Sequence, residues 1–124
     1  MRPVAGLPDL ADLADRTVDD PRTAIESGPP GVERERILAL LDACGETGSG
    51  PGVLDRTCRP GHLTGSALIV DLVDRRILML FHTKLQRWLQ PGGHADGDAD
   101  LGRVALREAT EETGIAGLRL VEPP

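Results

Sequence analysis

Arg107-Glu108-Ala109-Thr110-Glu111-Glu112-Thr113-Gly114-Ile115 places three carboxylates near the end of a segment that reads as a helix. Leu101 to Thr113 carries the helical pattern, Asp98 or Asp100 is available to cap its start, and Gly114 to end it in a left-handed turn. Glu108, Glu111 and Glu112 then lie three and four residues apart along one side of the last turns. Each like-charge pair at that spacing costs about 0.2–0.5 kcal/mol, and the negative end of the helix dipole adds a penalty of similar size. At about 100° per residue, Leu101, Val104 and Ala105 share the side of the glutamates, so the stripe begins apolar and becomes anionic. An ordinary surface helix carries its acids opposite its apolar stripe. A cation held among the glutamates relieves the repulsion; a solvated charge run is the alternative.

Upstream, Pro91-Gly92-Gly93 supplies a tight loop. From Gly93, five residues lead to Ala99 and seven more to Arg107, after which the chain reads Arg-Glu-Ala-x-Glu-Glu-x-Gly-Ile. This resembles the Nudix box, G-x5-E-x7-R-E-U-x-E-E-x-G-U with U a bulky aliphatic residue. Gly93, Arg107, Glu108, Glu111, Glu112 and Gly114 match its fixed positions. Ala99 departs from it at the first glutamate, and Ala109 is a small occupant of the aliphatic place. In the family that glutamate helps to hold the arginine, so Asp98 and Asp100 are the candidate substitutes as partners for Arg107. Favouring the positive start of the helix is the other reading of Asp96, Asp98 and Asp100.

The resemblance implies an α/β fold, the Nudix α/β/α sandwich with a mixed sheet, and a Mg²⁺-dependent hydrolase acting on a diphosphate linkage of a nucleoside diphosphate derivative. By the family's pattern, Glu108 and Glu112 bind metal directly, Glu111 binds it directly or through water, the Gly93 carbonyl adds a ligand, and Arg107 orients the glutamates. Mg²⁺, or Mn²⁺ in its place, suits oxygen ligands and substrate phosphates. It polarises a phosphoryl oxygen and activates the attacking water. Oxidised nucleoside triphosphates, ADP-ribose, dinucleoside polyphosphates and nucleotide sugars all fit a box that grips the diphosphate. Two other readings stay open: a nucleotide-binding module that has lost turnover, and a diphosphate isomerase of the same fold, which no cysteine beside the box supports.

Other motifs fall away. Asp96-x-Asp98-x-Asp100 starts like an EF-hand loop, but its sixth place is Leu101 and its twelfth Arg107, where glycine and glutamate are required. The glycines from Gly45 to Gly52 lack the Lys-Ser/Thr ending of a P-loop. With 14 basic against 20 acidic residues the net charge is −6, which argues against broad binding to nucleic acid or anionic membranes. No apolar run is long enough to span a bilayer and no signal-peptide pattern is present, so the cytoplasm is the expected compartment. There, Cys44 and Cys58 are expected as reduced thiols.

The 124 residues divide near residue 60. Residues 1–60 read as a helical segment and linker. Leu7, Leu10 and Leu13 give a weak stripe, and Val32 to Cys44 a better helix stopped by Gly45. This part is a lid, a dimer contact or a loose tail. Residues 61–124 read as the Nudix-like domain. Ser66–Val70 and Arg76–Phe81 form a hairpin turning through Val73-Asp74-Arg75, Trp88-Leu89-Gln90 leads into the glycine loop, and Leu118–Val121 opens a further strand. The resemblance covers residues 62–121, the first half of the family's fold. The expectation is therefore a fragment of a longer reading frame, or a sheet completed by a partner such as a second copy in a homodimer.

His94 follows the metal-loop glycine and is a candidate for substrate phosphate, with a plain loop histidine as the alternative. His82, Lys84 and Arg87 form a basic patch, Arg87 being the second candidate substrate contact, against a solvated loop. Trp88 is read as a packing residue or a base-stacking one. His62 carries no signal.

Overall fold

The computed structural model describes residues 6–44 and 52–121. Gly45 as a helix stop, the glycine-rich connector at 45–51 and the end at Glu122-Pro123-Pro124 lie outside the described residues. Among the described residues the chain is mixed α/β. Its elements run α1 (Leu10–Leu13), α2 (Arg22–Ser27), α3 (Val32–Cys44), β1 (Thr64–Ser66), β2 (Ile69–Asp71), β3 (Arg76–Leu78), β4 (Leu80–His82), β5 (Arg87–Leu89), β6 (Gly92–His94) and α4 (Leu101–Thr113).

The two longer helices, α3 and α4, keep the bounds their periodicity predicts. Asp100 caps α4 by accepting from the Arg103 N–H, and Gly114 ends it at φ 70°. In the first hairpin, β2 pairs with β3 and the Asp71 carboxylate accepts from the Val73 and Asp74 N–H groups, an Asx turn that leaves Arg75 left-handed at φ 55°.

The sheet corrects an expectation. The three extended runs do not form one mixed sheet: β1 pairs with β6, β2 with β3 and β4 with β5, all antiparallel. Each run changes partner halfway, at Ala67-Leu68, at Met79 and at Gln90-Pro91. Pro91 has no N–H to continue a ladder, and its carbonyl instead accepts from the Ala67 N–H at 2.8 Å. The segment Leu118–Val121 makes only one bridge, Arg119 opposite Asp9, supported by a bond from the Leu120 N–H to the Pro8 carbonyl.

Helix α4 lies across β1 and β6 because two glycines face each other beneath it, Gly65 opposite Gly93. A Cβ on Gly65 would stand 2.8 Å from Val104 Cγ1, 2.9 Å from the Ala105 nitrogen and 2.9 Å from the Leu101 oxygen. The buried stripe Val104, Ala105, Leu106 and Ala109 fills this seam. A second cluster joins Leu41 of α3 to Val53 and Leu63, with Leu38, Leu54 and Leu101 around it, so packing crosses the change of texture near residue 60.

Residues 7–16 are no loose tail. Arg16 donates from Nε and Nη2 to the two oxygens of Asp100, which is 3% exposed, and Arg103 donates from Nη1 to the carbonyls of Leu13 and Arg16. Burial acts to raise the pKa of Asp100, but the Arg16 hydrogen bonds, the Arg103 N–H and the two nearby positive charges outweigh it and hold the carboxyl below its ordinary value. Arg103, hydrogen-bonded through Nε and Nη2, holds Asp98 below its ordinary value in the same way.

Because both folded pKa values are lowered, the stability this cluster contributes is complete above about pH 4 and lost as pH falls through the folded values. Thermal midpoints measured down the acid range should therefore drop, and Arg16→Ala should lower the neutral-pH midpoint while flattening the acid limb. Gly65→Ala, forced against helix backbone, should cost about 1–3 kcal/mol in urea unfolding.

Candidate functional site

The site begins where α4 crosses the glycine loop. Following the helix stripe from Leu101 and Ala105, the next two positions on that side are Glu108 and Glu112. Glu108 packs its carboxylate against Gly93: a Cβ there would stand 2.6 and 2.7 Å from the two oxygens. Glu112 accepts through Oε1 from the Gly92 N–H at 3.0 Å. Two glutamates of the helix and two glycines of the loop thus meet along one seam, and the loop needs glycine there because a side chain would occupy the carboxylate's place.

Arg107 sits on the flank, its Nη2 3.8 Å from Glu108 Oε1 and its Nη1 3.9 Å from Asp98 Oδ2. Of the two candidate substitutes for the missing glutamate, Asp98 is beside Arg107 while Asp100 is engaged by Arg16. Ala99, at the position of that glutamate, is buried. The three alternate aspartates each meet an arginine: Asp96 pairs with Arg56, Asp98 with Arg103 and Asp100 with Arg16. Arg56, through its hydrogen bonds, holds Asp96 below the usual carboxylate range. Their charge is answered by arginines of the protein.

Glu111 stands apart from the other two. It is exposed, and its side chain makes no hydrogen bond or ion pair among the described residues. Among the described residues no three His, Cys, Asp or Glu side chains converge as a metal cage. The donors against the glycine loop, Glu108 at Gly93 and Glu112 at Gly92, are hard oxygen ligands, the first in a cradle that a Cβ would fill. They fit an ion of the Mg²⁺ type, which takes one or two carboxylates and completes its shell with water and substrate phosphates.

An open groove of about 510 Å³ leads away from this seam, lined by Thr64, Ser66, Phe81, His82, Gln90 and Glu112 among others. Its polar groups come from three strands and α4. Phe81 meets Trp88 edge-on with ring centroids 5.3 Å apart, and Trp88 is 64% exposed, which is not the exposure of a packing residue. Arg87 is also exposed and lies opposite His82 at the end of the β4–β5 hairpin, outside the groove lining. His94 turns to His62 instead, Nδ1 to Nε2 at 3.1 Å, one imidazole donating and the other accepting. His62, Thr64 and Ser66 escaped the reading of the sequence; the pairing of β1 with β6 that brings them here joins residues about thirty apart and leaves no local pattern.

No described helix is long and apolar enough to cross a membrane. The chain matches no family model, no curated protein and no solved structure.

The three atoms nearest a Cβ at Gly93 all belong to the end of the Glu108 side chain, so Gly93→Ala should change stability in urea unfolding by about 1 kcal/mol or less while displacing the carboxylate. Calorimetric titration with Mg²⁺ or Mn²⁺ should show weaker binding than the parent chain; equal affinity would mean Glu108 does not hold the ion.

Proposed function

We propose that this chain is a Nudix-type hydrolase module that cleaves a diphosphate linkage in a nucleoside diphosphate derivative with Mg²⁺, residues 62–121 forming the first half of the Nudix sandwich. The observation that carries the reading is the meeting of Glu108 and Glu112 with the glycine loop at Gly93 and Gly92, since Gly93, Glu108 and Glu112 are positions at which the box would hold a metal. A bound Mg²⁺, or Mn²⁺, would polarise a phosphoryl oxygen and lower the pKa of the attacking water. Glu108 and Glu112 would hold that ion, and Glu112 also fixes the loop by accepting from the Gly92 N–H. Arg107, braced by Asp98, keeps the Glu108 carboxylate in place. Glu111, exposed at the end of the helix, is free to order water. Thr64 and Ser66 offer hydroxyls to the phosphate oxygens along the groove. The partner is a small nucleotide and not a nucleic acid or membrane surface, in keeping with the net charge of −6.

A binding module without turnover is the second reading, favoured by Ala99 at the place of the box's first glutamate. The nucleotide products formed from ADP-ribose, a dinucleoside polyphosphate and a nucleotide sugar, resolved by anion-exchange chromatography across a Mg²⁺ titration, separate the two. Hydrolysis should require the metal, and Glu112→Gln should lower it at least ~10-fold with the circular dichroism unchanged. Metal-dependent nucleotide binding with no product would establish the module; an unaffected Glu112→Gln rate would remove the site assignment.

A further inference from the structure

Cys44 closes α3, and Cys58 lies in the segment that runs back beneath it. Although fourteen positions apart in the chain, both Sγ atoms approach the same carbonyl, that of Arg59, at 4.0 and 3.8 Å. Cys44 also reaches the Gly61 carbonyl at 3.4 Å. Cys44 is partly exposed and Cys58 is buried. An accessible thiol with a sheltered one against it is the arrangement of an attacking and a resolving cysteine.

We infer that Cys44 and Cys58 form a dithiol modification site that exchanges with low-molecular-weight disulfides to close an intramolecular bond. The Cys44 thiolate attacks one sulfur of the small disulfide, expelling one small thiolate and leaving a mixed disulfide. Cys58 then gives its proton to solvent and attacks Cys44 Sγ, expelling the second small thiolate. Protein dithiol and small disulfide become protein disulfide and two small thiols, so the electrons balance. The neighbouring Cys44 thiol, together with burial, pushes the Cys58 thiol up to about 11, which makes the second step the slow one and speeds it as pH rises. The bond ties the end of α3 to the segment that supplies Val53 to the core, the Leu54 carbonyl that accepts the Gly97 N–H, and Arg56 on Asp96. That segment braces the loop that follows Gly93.

The test equilibrates the full chain in buffers of reduced and oxidised glutathione, natively and in urea, and reads the products by intact mass. The native chain should lose two hydrogens as a monomer, with an effective thiol concentration at least ~10-fold above that of the unfolded chain, where only the flexible tether brings the thiols together. Cys58→Ser should instead retain one glutathione, on Cys44. A native value equal to or below the urea value, persistent glutathione adducts on the parent chain, or no oxidation would each overturn the inference. The native-against-urea comparison needs no variant, so it stands even where a serine substitution misfolds.

Discussion

A single buried carboxylate organises this molecule. Asp100 caps α4, takes both prongs of the Arg16 guanidinium and sits almost wholly out of water. A charge in that position is tolerable only when its lone pairs are filled, and here helix backbone and an arginine from the far end of the chain fill them. Arg103 completes the arrangement by grasping Asp98 with one side of its guanidinium and the carbonyls of Leu13 and Arg16 with another. The first turn of α4 is thereby fixed in three directions, and everything the helix carries farther along inherits that placement.

What it carries is a stripe that changes character without changing face. Near its start the side chains are aliphatic and meet Gly65; a turn and a half later they are carboxylates and meet Gly93 and Gly92. Glycine on the strands serves both halves, first by letting the helix backbone come close and then by making room for the glutamate oxygens. Close packing and a candidate anion-handling chemistry are thus produced by one geometric device. The same rigidity explains why Glu111, off the stripe, stays in solvent.

Helix α4 and its caps were legible because their determinants are local: periodicity, Asp100 ahead of the first turn, and Gly114 after the last. The hairpin turn was legible for the same reason, through Asp71 and Arg75. The sheet was not. Strand runs were visible as apolar stretches, but their division at Met79 and Pro91 into halves with different partners depends on non-local pairing that no short window contains. Within the site, Glu108 and Glu112 were named together with Gly93, while the turning of His94 to His62 was out of reach. Ala99 drew attention as a gap, and Asp98 one step before it is the residue that stands beside Arg107.

The bond between Arg16 and Asp100 spans 84 positions of the chain. On a ribosome that extends a chain by roughly 5–20 residues each second, the N-terminal arginine waits roughly 4–17 seconds after its own synthesis before its acidic partner exists. During that interval α3 can form from local contacts, as helices do in microseconds, whereas the clasp must close late. The segment around Arg16 is thus made well before the contact that fixes it.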